Sequence, residues 1–274
     1  MTGWTYYNHA MIPTTMPHEE PDLTPLQTGE LWNIHGGGTP LFARWTTDFD
    51  CENETSFWAC ILDKPFEVDQ LKSNRRYKIT KGNRNFYTRL LNSEDLEAMY
   101  DVYLGCLPGY GGAITPVSRE AFLKEWGSIM QAPETVLIGA CSRGDDSLCG
   151  YAHCIDRGKY IPISSFKSKV CEEKKNVNFA LMDGICSHFR EALENGSYLC
   201  DGWRNVLHET EFQSWLEKYF QFRKAYCHLH LKYRFPVNLA VAALYPFRKQ
   251  LAKIPKLKSV YAVLIMEEWS RQSR

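Results

Sequence analysis

The sequence predicts an α/β (α+β) fold in which a mixed central sheet is flanked by helices. Segments with alternating apolar residues are interleaved with segments of helical periodicity. Three of the alternating segments follow one another with only tight turns between them. Apolar residues make up 44% of the 274 residues, which is enough for a sizeable core, and the formal net charge of zero excludes a chain-wide attraction to nucleic acid or membranes.

The predicted core begins with a strand and two helices. Residues 85–91 alternate and are rich in strand-forming residues. Asn92 then provides an N-cap for a helix whose apolar residues recur every three or four positions. Pro108 ends this helix, and a second helix begins at Ser118 and ends before Pro133.

The next part of the core alternates between strands and helices. Three strands joined by tight turns form an antiparallel meander, and we place them at 135–141, 147–156 and 160–170. A helix, a strand, a helix opened by a capping box and a last strand follow, at 178–194, 198–203, 210–213 onward and 223–233. The predicted order is therefore β-α-α-β-β-β-α-β-α-β.

Three regions follow from this order. Residues 1–84 form an N-terminal extension, with a surface arm, strands and a basic segment that packs on the core. Residues 85–234 form the core itself, and residues 235–274 form a helical, amphipathic C-terminal segment. That last segment is basic over 245–258 and apolar over 260–269, so it fits either an anionic membrane surface or packing on the core.

The order of elements resembles that of the GNAT acyltransferases. Two stretches are similar to the FemAB-like branch, which is associated with bacterial envelope and polysaccharide biosynthesis: the basic run 71–86, and 201–213 leading into 220–226. The chain departs from the pattern where Gln221 replaces a glycine, and where 166–178 carries four lysines but no glycine. FemAB-like proteins also usually carry two such units, whereas this chain has room for one.

The resemblance implies N- or O-acyl transfer to an envelope or polysaccharide precursor, a small-molecule or lipid-linked sugar or peptide. It implies acetyl-CoA, another acyl-CoA or an aminoacyl-tRNA as the donor, and no metal. Candidate donor-binding residues flank the start of the third helix, where lysines neutralise phosphates as point charges; they are Lys167, Lys169, Lys174, Lys175 and Asn178.

Candidate catalytic residues lie on the fifth strand of this order, on the connection that follows it and on the last helix. His208 is the candidate base and Asp201 its orienting partner, because acyl transfer needs a group that accepts the proton of the acceptor. The alternative is that both residues only shape the connection. The resemblance makes Tyr219 the candidate proton donor for the leaving group, but Tyr219 also fits the buried stripe of its helix, and this pattern favours core packing.

The basic segment provides the candidate substrate-binding residues. Residues 64–91 carry eight basic and two acidic side chains, a density that suits a phosphorylated ligand but is also typical of a solvated helix face. The candidates are Arg75, Arg76, Lys78, Lys81 and, near Asp201, Arg204.

The ten cysteines form no metal-binding spacing, and several lie in apolar patterns. With no secretory signal pattern and no apolar run long enough for a bilayer, we expect a cytoplasmic protein, at most peripheral at the inner face of the membrane. Two other functions remain open: a catalytically silent scaffold that binds a glycan or protein partner, and, with less support, a cysteine hydrolase.

Overall fold

The structure is a computed structural model that describes residues 3–33, 38–110, 115–207 and 211–272. Its strands are β1 Trp4–Tyr7, β2 Ala10–Pro13, β3 Phe42–Thr47, β4 Phe57–Leu62, β5 Phe86–Leu90, β6 Thr135–Ser142, β7 Leu148–Ile155, β8 Tyr160–Ser168, β9 Tyr198–Trp203 and β10 Arg223–Tyr233. Its α-helices are α1 Thr24–Thr28, α2 Ser73–Asn85, α3 Leu96–Cys106, α4 Arg119–Ile129, α5 Val177–His188, α6 Arg190–Glu194, α7 Glu211–Phe220, α8 Val237–Leu244, α9 Arg248–Leu251 and α10 Lys258–Gln272.

The described residues group into two compact units. One consists of Met1–Cys60, Trp203–Glu211 and Lys224–Arg274, and the other of Ile61–Gly202 and Phe212–Arg223. Each unit is built on a mixed sheet.

The sheet of the second unit is an antiparallel meander with one parallel strand added. Strand β5 pairs with β6, β6 with β7 and β7 with β8, all antiparallel, and β8 then pairs with β9 in parallel. Helices cover both faces, because neighbouring strand residues point to opposite sides. Tyr151 of β7 belongs to the core cluster with α3 and α4, whereas the adjacent Gly150 lies against Leu181 of α5.

The first unit has strands β1, β2, β3 and β10 in that spatial order, with β2 and β3 parallel and the other two pairs antiparallel. Helix α10 packs its apolar residues on this sheet, where Met266 and Trp269 join Phe57 and Leu229 in one buried cluster. The apolar stretch 260–269 therefore packs on a core, the second of the two alternatives for the C-terminal segment. Within the described residues, no helix combines the length and apolar character needed to cross a bilayer.

The predicted α/β class and the order of elements from β5 to β10 are confirmed. Strands β9 and β10 have the predicted bounds. The Ser118 side chain caps α4, and the Asn92 side chain caps the 3-10 turn Ser93–Asp95 that leads into α3. Two predictions differ in detail. The helix predicted over 178–194 is interrupted at Phe189, which separates α5 from α6, and the strand predicted over 160–170 ends at Ser168.

Candidate functional site

Strands β8 and β9 part soon after they meet. Their parallel ladder consists of three residue pairs, from Tyr160 with Tyr198 to Pro162 with Cys200. Pro162 has no N–H to donate, which limits the ladder on the β8 side. Two residues further on, the register between β7 and β8 shifts, so that Ser164 is an extra residue on β8. The second half of β8 thus has a long edge that β9 does not pair.

A cavity of about 250 Å³ lies at the end of that edge. Residues from five segments form its wall: the end of β8, the end of α3 and the turn after it, the turn before α5, the first turn of α5, and the first turn of α7. They are Cys106, Gly109, Tyr110, Phe166, Lys167, Ser168, Val170, Glu173, Asn178 and Phe212. The wall combines three aromatic rings with an ammonium, a carboxylate, an amide and a hydroxyl group.

Two polar side chains in the wall differ in whether they have a hydrogen-bond partner. Lys167 donates from Nζ to the Tyr110 hydroxyl at 2.7 Å, and its ammonium lies 4.9 Å from the centre of the Tyr110 ring. Asn178, in contrast, has a buried Oδ1 without a hydrogen-bond partner among the described residues. A buried acceptor of this kind costs free energy while no donor reaches it.

Helix α2 holds the turn that precedes α5. Asn176 has a left-handed conformation, with φ of 68°, and its side chain donates to the Lys78 carbonyl at 3.0 Å. The Lys81 ammonium donates to the Lys174 carbonyl at 2.9 Å, and the Asn85 side chain donates to the Lys175 carbonyl at 3.1 Å. Side chains of α2 therefore help to fix the conformation of this turn.

Asp201 stands on β9 directly after the last residue that pairs with β8. Burial raises the pKa of its carboxyl group to about 7, against the opposing effect of a hydrogen bond with the Gln213 side chain. Gln213 is buried on the first turn of α7, next to Phe212 in the cavity wall. A carboxyl group with a pKa near neutrality can exchange a proton with an acceptor group at physiological pH.

Tyr219 is buried at the opposite end of α7. Its ring packs on Phe179 of α5 with 5.0 Å between the ring centres, and its hydroxyl accepts a hydrogen bond from Lys78 Nζ at 3.2 Å. Burial raises the pKa of Tyr219, but the hydrogen bond from Lys78 and the charges of Lys78 and Lys218 outweigh it and lower the pKa overall. Seven residues of helix separate Tyr219 from Phe212, which corresponds to about 10 Å.

The structure brings together only part of the predicted donor-binding set. Lys167 and Asn178 line the cavity. Lys169 instead lies along Gly105 of α3, and Lys175 forms a salt bridge of 2.9 Å with Glu172. Lys174 takes part through its carbonyl, as described above, and its side chain is exposed.

The predicted substrate-binding residues are spread over two places. Lys78 and Lys81 contact Tyr219 and the turn before α5. Arg76 is exposed and lies 3.7 Å from Asp69, whereas Arg75 is half-buried one helical turn before the buried Ile79. Arg204 belongs to the first unit, where its guanidinium donates to the Ser56 carbonyl and lies 4.5 Å from the centre of the Trp269 ring. The predicted base His208 lies outside the described residues.

Sequence reasoning missed several residues of the site. Tyr110 and Phe212 were not singled out because they belong to a predicted loop and to an apolar helix stripe. The sequence pattern assigns Gln213 to a capping box, and it shows Glu173 only as part of the lysine-rich stretch 166–178. One signal was available: Phe212 and Gln213 open the helix that follows Asp201 after only nine residues, a spacing that keeps these elements close.

Comparisons with known proteins agree on the fold. No protein-family model matches the sequence, and no curated protein matches it significantly. Among solved structures, the C-terminal domain of a putative lysylphosphatidylglycerol synthetase from Agrobacterium fabrum is 11% identical over 88% of this chain and 84% of that chain, with a TM-score of 0.52. L-PGS from Bacillus licheniformis is 11% identical over 99% of this chain and 86% of that chain, with a TM-score of 0.51.

The mixed α/β fold is shared with these two structures. A GNAT family acetyltransferase from Staphylococcus aureus also matches, with 16% identity over 41% of this chain and 82% of that chain and a TM-score of 0.33. At these identities the likeness establishes the fold and leaves the chemistry to be argued from the site.

Proposed function

We propose that the protein is an acyltransferase that uses the gap between β8 and β9 as its reaction site. One observation carries this proposal. A carboxyl group with a pKa of about 7, that of Asp201, stands where the two strands part, and its hydrogen-bond partner Gln213 adjoins the wall of the cavity. A proton acceptor, an open strand edge and a cavity for a donor are the parts that acyl transfer requires.

The proposed step is direct transfer. Ionised Asp201 takes the proton of an acceptor amine or hydroxyl, whose nitrogen or oxygen then attacks the carbonyl carbon of the donor. Backbone N–H groups on the unpaired edge of β8 stabilise the negative oxygen of the tetrahedral intermediate. The bond to the leaving thiolate or ribose oxygen breaks as the carbonyl re-forms, and the proton held by Asp201 passes to the leaving group.

The cavity wall favours an aminoacyl donor over acetyl-CoA. The unpartnered Oδ1 of Asn178 and the acidic Glu173 suit an ammonium group, and Glu173 opposes a pyrophosphate at the start of α5. The two similar structures with TM-scores above 0.5 described above carry the name of lysylphosphatidylglycerol synthetase or its abbreviation, which is in keeping with aminoacyl transfer. We therefore propose aminoacyl-tRNA as the donor and an acyl-CoA as the alternative.

For the acceptor, we propose an amine or hydroxyl group of an envelope or polysaccharide precursor. The exposed Arg76 of α2 supports a phosphorylated acceptor. Guanidinium groups bind phosphate with two parallel hydrogen bonds.

Calorimetry with the purified protein tests the donor proposal. It measures the binding of two probes, a non-hydrolysable aminoacyl-adenosine amide and CoA. We expect the aminoacyl probe to bind and Asn178→Leu to weaken it about tenfold, because a hydrogen bond to a charged group is lost. Asn178→Asp keeps an acceptor and adds a charge, so it should bind the aminoacyl probe at least as well. Preferential binding of CoA, unaffected by either change, would refute the aminoacyl donor.

Catalysis is tested separately with radiolabelled aminoacyl-tRNA and total envelope-precursor extract. Asp201→Asn should lower the rate of transfer by about 100-fold or more while probe binding persists. The matched control is Asp101→Asn, which alters an exposed carboxylate on α3. Full transfer by the Asp201 variant would remove Asp201 from the mechanism.

A non-catalytic glycan-binding scaffold is a second candidate. Three aromatic residues of the cavity wall, Tyr110, Phe166 and Phe212, provide flat surfaces on which a sugar ring stacks. Glycan binding that persists in Asp201→Asn, together with no transfer by the wild type from either donor, would favour the scaffold.

A further inference from the structure

Helix α8 is apolar around most of its circumference, yet it is largely exposed. Val241 is its buried residue, and Val237 and Tyr245, four positions before and after it, are half-buried on the same side. The other sides carry large apolar groups that face solvent. Five of the thirteen exposed large hydrophobic residues in the described chain lie between 235 and 254: Phe235, Leu239, Leu244, Phe247 and Ile254. A helix with this composition normally has a partner.

The chain segment that contains this helix carries charge of a single sign. Residues 218–266 contain no aspartate or glutamate, and residues 232–258 carry seven lysines and arginines in a chain whose net charge is zero. Lys249, Lys253, Lys256 and Lys258 are all exposed. Exposed lysines therefore lie next to the exposed apolar residues along the chain.

The end of this surface is held firmly in the first unit. Arg248 donates from Nε and Nη2 to both carboxylate oxygens of Glu268 at 3.0 Å, and Arg271 donates to Glu267 at 2.8 Å. The same two guanidinium groups lie 4.3 and 3.8 Å from the centre of the Tyr245 ring. The arginines and glutamates thus neutralise each other, and the exposed lysines are left as the charge of the surface.

We propose that this surface, formed by Phe235, Leu239, Leu244, Phe247 and Ile254 with Lys249, Lys253, Lys256 and Lys258, docks on an anionic lipid bilayer. The apolar side chains enter the region between headgroups and acyl chains, and the lysines contact lipid phosphates. A basic border without acidic residues complements an anionic bilayer, whereas a typical protein interface excludes lysine and contains charges of both signs. The proposal goes beyond acyl transfer and does not depend on it.

The test is co-sedimentation with large vesicles of phosphatidylcholine containing 30% phosphatidylglycerol, and with vesicles of phosphatidylcholine alone. We expect binding to the anionic vesicles that weakens as salt is added. Lys253→Glu with Lys256→Glu should weaken binding by at least about 25-fold, since each basic residue near an anionic surface contributes about fivefold. Phe235→Ser with Phe247→Ser should weaken binding at low and at high salt alike.

Matched controls change similar residues elsewhere: Leu90→Ser for an exposed apolar side chain and Lys124→Glu for an exposed cation. Circular dichroism verifies that each variant is folded. Equal affinity for neutral and anionic vesicles, or no binding by folded wild type, would overturn the proposal. It would also be overturned if sedimentation velocity showed self-association that Phe235→Ser with Phe247→Ser abolishes while vesicle binding stays at the wild-type level.

Discussion

Replacing Asp201 by Asn should change the pH dependence of stability in a direction that the structure determines. The pKa of this carboxyl group is about 7 in the folded protein, compared with 3.8 as its ordinary value. The folded state therefore binds the proton more tightly than the unfolded state. At a pH below the pKa that Asp201 has in the unfolded chain, both states are protonated and the carboxyl group does not lower the free energy of unfolding. As the pH rises from there toward 7, ionisation increasingly favours the unfolded chain.

The difference of about three pKa units corresponds to about 4 kcal/mol at most, at 1.36 kcal/mol per unit. Asp201→Asn removes the ionisation and preserves the shape of the side chain. Relative to wild type, the variant should therefore be more stable above pH 7, and its advantage should grow by about 2–3 kcal/mol between pH 5 and pH 8.

Urea unfolding followed by tryptophan fluorescence at half-unit steps from pH 5 to pH 8 measures this advantage. The exposed Asp101→Asn serves as the control and should show no such growth. If the stability curves of wild type and Asp201→Asn run parallel over this range, the carboxyl group is not held in the environment that we describe, and the proposed base loses its physical basis.

Three further predictions concern individual contacts. Gln213→Leu removes the hydrogen bond that lowers the pKa of Asp201, so the acidic limb of the pH–rate profile should shift to higher pH, whereas Ser214→Ala on the exposed side of α7 should leave it in place. Tyr219→Phe should leave the transfer rate nearly unchanged in a steady-state assay, since its hydroxyl contacts Lys78 and lies about 10 Å along the helix from Phe212; a large loss of kcat would instead make it the proton donor. Gly184→Ala should lower the free energy of unfolding by about 1–3 kcal/mol, because a Cβ there would meet the Thr88 side chain at 2.6 Å. Gly127→Ala on α4, where nothing lies within 4 Å, should raise it by about 0.5–1 kcal/mol in the same denaturant titration, and the opposite order would contradict the packing described.

Local patterns in the sequence were sufficient for the elements from β5 to β10, but they did not predict helix α2, whose last residue, Asn85, was assigned to a strand. Alternation defined β10 to the residue. The side chains of Ser118 and Asn92 marked the start of α4 and of the 3-10 turn that leads into α3, since capping depends on groups within three positions of each other. The break at Phe189 was missed because the apolar stripe continues through it, and periodicity does not detect a short interruption of the hydrogen-bond ladder.

The sequence also pointed to Asp201, Lys167 and Asn178, but only as members of a larger set. Which candidates share a wall depends on contacts between segments far apart in the chain. The side chains of Lys81 and Asn85 bind the turn before α5 about 90 residues later, and the tertiary structure alone showed this use of the basic helix. The pKa of Asp201 likewise follows from burial, a property of the packed chain.

The C-terminal segment shows the same division: its composition indicated a basic, apolar stretch, and only the folded arrangement decided that 260–269 packs inward while α8 stays exposed. Spacing along the chain sets local conformation, whereas the partner that each face meets is decided by long-range packing.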